Sequence, residues 1–227
     1  MTASALSAVL WDMDGTLIDS EPLWLEAEQR MLHRYGLEMS PETSKLMVGS
    51  GLWDAAEHFR ELGVPMSADD IVAEWVAGVS DGMDRGEVTW RPGARELLAS
   101  LRAAGVPSAL VTMSVRSLAE RVAALLPDDT FAAIVAGDEV QRPKPHPEPY
   151  LRGAAALGVP IAGCLAIEDS PTGLRSAAAS GAVAIGVVNL VDLSAAPADE
   201  IWETLEGVDA AALAARFDRL RSLDLPA

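Results

Sequence analysis

The sequence predicts an α/β fold: a parallel sheet covered on both faces, with an α-helical insert after its first strand. Three observations carry this reading. Short, almost wholly apolar runs alternate with helical periodicity from about residue 94 to 188, the pattern of strands buried on both sides. A run of the same kind, Ala8-Val9-Leu10-Trp11, stands alone near the start of the chain. Between the two lies sequence of helical character only, from Ser20 to about Val88. The expected organisation is a core formed by residues 1–18 and 89–227, with residues 19–88 as the insert.

Each element has its own signals. The first apolar run leads into Asp-Met-Asp-Gly, a strand followed by a turn at Gly15. Ser20 is a suitable N-cap, with Glu21 and Pro22 in first-turn positions, and Gly36 stops the helix. Trp24, Ala27, Met31 and Leu32 recur along it at helical spacing. Two further helices are expected over 41–48 and 52–62, and a fourth over 67–82 capped by Ser67. The core alternation then runs helix 94–104, strand 108–112, helix 115–126, strand 131–136, helix 150–157, strand 164–167, helix 172–179 and strand 183–188. The tail from Pro197 is acidic, then helical over about 210–223. In open parallel sheets ligands bind at the carboxyl ends of the strands, the edge over which such an insert would lie.

Composition narrows the function. Half the residues are apolar, ample for a core. A net charge of −17 and a pI near 4.4 argue against nucleic acid and against anionic membranes as partners. An anionic substrate would need cations supplied by the site itself, yet the chain has only two lysines, Lys45 and Lys144. Cys164 is the sole cysteine, so no internal disulfide can form, which fits a reducing compartment. No signal peptide and no membrane-spanning run is read. A cytoplasmic monomer is expected.

Four segments at expected strand ends stand out: Asp12-Met13-Asp14-Gly15-Thr16, Val111-Thr112-Met113-Ser114, Arg142-Pro143-Lys144-Pro145 and Ile167-Glu168-Asp169-Ser170. Carboxylates crowded into one small site raise each other's pKa unless a cation joins them. Asp12, Glu168 and Asp169 offer oxygen donors of the kind Mg²⁺ prefers. The Thr112 hydroxyl suits a phosphate oxygen, with the main-chain N–H groups of Met113 and Ser114 beside it, and Thr112 or Ser114 equally suits a helix N-cap. Lys144 is held between two prolines. Ser170 reads as the cap of the next helix, and Gly173 as a point of close approach.

In these four segments the chain resembles the phosphatases of the haloacid dehalogenase superfamily, in the beta-phosphoglucomutase-like and sugar-phosphate phosphatase branch. The resemblance runs from about Ala8 to Val188. It implies a Rossmann-like core with a helical cap, and Mg²⁺ as cofactor. It further implies Asp12 as nucleophile and metal ligand, and Asp14 as acid, base and main-chain ligand. Asp169 is implied as a ligand, with Glu168 in or next to the metal's ligand set. Thr112 and Lys144 are implied as catalytic groups, with Gly15, Thr16, Met113 and Ser114 at the phosphate. The family often has Asn where this chain has Met113.

The insert offers Glu21, Trp24, Lys45, Gly49 and Ser50 as substrate contacts, with Trp24 and Trp53 read first as insert core. Beta-phosphoglucomutases carry a histidine near Trp24 and cations near Gly49; here Trp24, Val48 and Leu52 stand around those points. A mutase must hold a second phosphate with such cations. The expectation is therefore hydrolysis of a small sugar or polyol phosphate. A phosphosugar mutase and a non-catalytic phosphate-binding protein are the alternatives.

Overall fold

The computed structural model describes residues 6–40, 43 and 51–223. The chain divides into two compact units, Met1–Ile18 with Trp90–Ala227, and Asp19–Thr89.

The first unit is built on a six-stranded sheet in the order β5-β4-β1-β6-β7-β8. Its strands are β1 (Ala8–Trp11), β4 (Ser108–Val111), β5 (Ala133–Val135), β6 (Cys164–Glu168), β7 (Val183–Val187) and β8 (Glu200–Trp202). Every adjacent pair is parallel. β1, β4, β6 and β7 are buried along their whole length, as their near-continuous apolar sequences require. The alternating residues Ala8, Leu10, Ala109, Val111, Cys164, Ala166 and Ala184 face one side. They pack there with Tyr150 and Ala154 of α6 (Glu148–Ala156) and Leu174 and Ala177 of α7 (Pro171–Ser180). On the other side, α4 (Ala94–Ala103) meets β4, α8 (Ala210–Leu223) meets β7, and the two helices touch. α5 (Arg116–Ala123) packs on β5.

Strand order reverses at β1. From β1 the chain builds outward through β4 and β5, then returns to β6 on the other flank. The crevice at such a reversal, outside the carboxyl ends of the strands, is where this architecture accepts ligands. Asp12 follows β1, and Glu168 and Asp169 end β6, so all three stand at the reversal.

Among the described residues the second unit holds the helices α1 (Glu21–Arg34), α2 (Leu52–Leu62) and α3 (Ala68–Asp84), with α3 packed on both others. Phe59 meets Trp75 edge to face at 4.7 Å, and Arg34 ties α1 to α3 through Glu74 at 2.8 Å. Ser67 caps α3 by accepting from the Asp70 N–H at 3.1 Å. Ser20 occupies the cap position of α1 but its side chain does not cap the helix. Trp53, read as core from sequence, is exposed and donates its indole N–H to Asp69 at 2.8 Å. No helix among the described residues is long and apolar enough to cross a membrane.

Four elements depart from the sequence reading. The helix expected over 115–126 ends at Ala123, because in a continued helix the Pro127 ring would clash with the Ala123 carbonyl and offer it no N–H. β8 lies in the segment read only as an acidic tail; it is a three-residue edge strand whose single apolar-run signal is absent. The short strands β2 (Ile18–Asp19) and β3 (Thr89–Trp90) pair with each other where the chain passes from one unit to the other and back.

Candidate active site

Backbone pairing carries the functional side chains past the strand ends. The Asp12 N–H donates to the Ile167 carbonyl at 3.1 Å, and the Thr112 N–H to that of Val135 at 3.0 Å. After Asp12 the chain turns about the Met13 carbonyl, which accepts from the N–H groups of Thr16, Leu17 and Ile18. Gly15 adopts φ +87° in this turn, and a Cβ there would lie 2.0 Å from Asp169 Oδ2 and 2.5 Å from Asn189 Nδ2. Only glycine fits both the backbone and the space.

Lys144 is the hub. Its Nζ donates to Asp12 Oδ1 at 2.7 Å, to Glu168 Oε1 at 2.7 Å and to the Val111 carbonyl at 2.9 Å. An ammonium has three protons, so all are committed. Its backbone N–H also donates to Met113 Sδ at 3.4 Å, which gives that methionine a side-chain role in joining the second and third segments. Glu168 is equally engaged. Its Oε1 also accepts from the Tyr150 hydroxyl at 2.7 Å, and its Oε2 from the Ser170 hydroxyl at 3.1 Å and N–H at 3.4 Å. Ser170 caps α7 through Gly173 N–H at 3.0 Å, as read from sequence.

Asp14 Oδ2 accepts from the hydroxyls of Ser114 at 2.7 Å and Thr112 at 3.3 Å. Asp169 accepts from the Thr16 hydroxyl at 3.3 Å and from Asn189 Nδ2 at 3.0 Å. In this arrangement the Thr112, Ser114 and Thr16 hydroxyls, expected at a phosphate, hold catalytic-candidate carboxylates instead.

The electrostatics reflect burial. Burial pushes the Asp12 carboxyl well above its ordinary value; Glu168 adds to the shift and Lys144 opposes it. Asp169 is pushed up to about 7, by burial first and then by Glu168. For Lys144, burial disfavours the charge, but Asp12 and Glu168 outweigh it and raise the pKa, so the ammonium persists. With all three carboxyls ionised, one ammonium would leave a surplus of two negative charges. Asp12, Glu168 and Asp169 each have an oxygen within 4.8 Å of the others. An all-oxygen donor set with surplus negative charge fits a hard divalent cation.

The structure thus gathers Asp12, Asp14, Gly15, Thr16, Thr112, Met113, Ser114, Lys144, Glu168 and Asp169 within the first unit. Glu21 and Trp24 lie on α1 of the second unit, where Trp24 is buried. Lys45, Gly49 and Ser50, with the helix expected over 41–48, lie outside the described residues apart from Thr43. Two residues at the site escaped the sequence reading. Asn189 follows β7 almost directly, the same strand-end placement that marked the four segments. Tyr150 was read only as the start of a helix, and nothing in its neighbours distinguishes it from a core aromatic.

Comparison with known proteins agrees with this geometry. A family model described as haloacid dehalogenase-like hydrolase matches residues 6–181. The protein CbbY of Rhodobacter capsulatus is 34% identical over 187 residues, covering 78% of this chain and 82% of that one. Hexitol phosphatase A of Escherichia coli (strain K12) is 34% identical over 183 residues, covering 78% and 81%. Among solved structures, a CbbY mutant from Rhodobacter sphaeroides in complex with xylulose-(1,5)-bisphosphate superposes with a TM-score of 0.82 at 26% identity, covering 92% of this chain and 99% of that one. With the strand-end carboxylates, the buried lysine and the sheet order all in place, the chain belongs to the haloacid dehalogenase-like hydrolases.

Proposed function

We propose that the protein is a Mg²⁺-dependent phosphatase that hydrolyses a small sugar or polyol phosphate through a phosphoryl group carried on Asp12. The observation that carries the reading is the Lys144 ammonium, 2.7 Å from both Asp12 and Glu168, beside the cluster formed with Asp169. Asp12, Asp169 and the main-chain carbonyl of Asp14 would hold the ion, with Glu168 beside them. Bound there, Mg²⁺ would neutralise the carboxylates and the phosphate and let them approach.

The chain's own residues supply the rest. A free oxygen of Asp12 attacks phosphorus, forming the acyl-phosphate bond as the bond to the substrate oxygen breaks. Asp14 gives its proton to the departing alkoxide. It then takes a proton from the water that attacks phosphorus, which breaks the bond to Asp12 and releases inorganic phosphate. The hydroxyls of Ser114 and Thr112 fix the Asp14 carboxyl for both transfers. Lys144 opposes the effect of burial on Asp12, favouring its ionised form, and offsets charge that develops at phosphorus. The second unit, Asp19–Thr89, would act as the cap that admits substrate and excludes water.

The relatives support the substrate class, one being a hexitol phosphatase and one seen with xylulose-(1,5)-bisphosphate. The test is release of phosphate from a panel of sugar, polyol and glycolate phosphates, with and without Mg²⁺. Asp12→Asn should lower kcat by about 10⁴-fold while circular dichroism stays unchanged. Full activity in that variant, checked by mass spectrometry for deamidation, excludes Asp12 as nucleophile. A hexose 1-phosphate should give free hexose, whereas conversion to the 6-phosphate would identify a mutase.

A further inference from the structure

We propose that Tyr150 is a positioning residue for this reaction, acting through Glu168 to hold the Lys144 ammonium against Asp12. The inference rests on the phosphatase reading above and adds to it a residue outside the four segments.

Tyr150 is fully buried in the first turn of α6, with its hydroxyl 2.7 Å from Glu168 Oε1. That same oxygen receives the Lys144 ammonium at 2.7 Å, and the ammonium lies 5.0 Å from the centre of the Tyr150 ring. The phenol therefore meets the Lys144–Glu168 pair twice, by its hydroxyl and by its face. Burial and the Glu168 charge hold the phenol proton in place, so the hydroxyl is a lasting donor.

The three attachments of the pair differ in stiffness. Lys144 comes from a loop and brings four rotatable methylenes, and Glu168 brings three side-chain torsions. Tyr150 has two torsions and sits on a helix packed against β1 and β4. It is the rigid member that defines where Glu168 Oε1 stands. Glu168 in turn takes donors on both oxygens, from Tyr150, Lys144 and Ser170. Removing one leaves an anionic oxygen short of a donor at a buried position, and the carboxylate must turn toward what remains. The ammonium follows Glu168 and leaves its 2.7 Å contact with Asp12. A displacement of about 1 Å at a reacting group lowers rate by about 100-fold.

The experiment compares the full chain with Tyr150→Phe, which deletes only the hydroxyl. With p-nitrophenyl phosphate, kcat should fall about 10- to 100-fold, while KM and the half-saturating Mg²⁺ concentration stay within about twofold. A second readout needs no turnover. Because the chain has two lysines, ¹⁵N-lysine labelling gives two ammonium signals, and Lys45→Arg leaves that of Lys144. This signal should exchange slowly with water in the parent protein and faster in Tyr150→Phe. Unchanged kcat and exchange would overturn the proposal, as would a rise in half-saturating Mg²⁺ that accounts for the whole loss. Should Tyr150→Phe not fold, 3-fluorotyrosine in a Tyr35→Phe background alters only the Tyr150 phenol, since the chain has two tyrosines. A change in kcat at constant KM supports positioning there, and no change refutes it. Absence of phosphatase activity in the parent would defeat the functional reading alone, because the exchange experiment still tests the contact.

Discussion

A proton and the proposed Mg²⁺ would compete for Asp169. Its carboxyl is held near pH 7, by burial first and then by the Glu168 charge, against an ordinary value of 3.8. A carboxyl raised in this way favours the folded state most when protonated, so without metal its contribution to stability is lost as pH rises from about 4 through about 7. The same titration frees the oxygen for a cation. Mg²⁺ affinity should therefore rise about tenfold between pH 6 and pH 8, with proton release on binding at pH 6 that disappears at pH 8. Calorimetry in buffers of different ionisation enthalpy measures both. Asp12, Glu168 and Asp169 were legible in the sequence because each puts an ionisable group where an apolar strand ends, a place where burial needs a reason; Lys144, in a loop well past β5, was legible because two prolines fix one of only two lysines. Asn189 was not, since an asparagine after a strand reads equally as a turn. Tyr150 was not, since its hydroxyl meets Glu168 only when α6 is laid against β1 and β4.

At the scale of elements, the approach of α7 to the end of β6 decides what the site tolerates. Gly173 lies in the first turn of α7, and a Cβ there would stand 1.8 Å from Glu168 Oε1 and 1.9 Å from its Cδ. Helix propensity alone predicts that Gly173→Ala stabilises the protein by about 1 kcal/mol. The clash predicts the opposite, because Glu168 cannot retreat without releasing Lys144. We expect a loss of about 2 kcal/mol by urea titration together with loss of activity. A gain in stability would mean that the helix shifts freely. The strands and helices that flank this contact were legible because apolar runs and periodicity survive over four or more residues. β2, β3 and β8 span two or three residues each, too few to show a period, and they form only because a neighbouring strand is already in place.

For the molecule as a whole, charge sets the rate of encounter. With a net charge of −17, the protein repels the phosphorylated substrate proposed for it until Lys144 and a bound cation are near. Raising ionic strength from 20 to 200 mM shortens the screening length from above about 20 Å to below about 10 Å. At saturating Mg²⁺, kcat/KM for a dianionic substrate should rise several-fold over that range with kcat unchanged, as initial-rate kinetics would measure. A fall would point to attractive steering by the insert. The pairing of β2 with β3 has a consequence of another kind. Departure and return through partnered strands let the excursion from 19 to 89 grow, shrink or be exchanged wholesale while every one of the six sheet strands keeps its neighbour. Heredity can then revise the two parts of the gene on separate schedules.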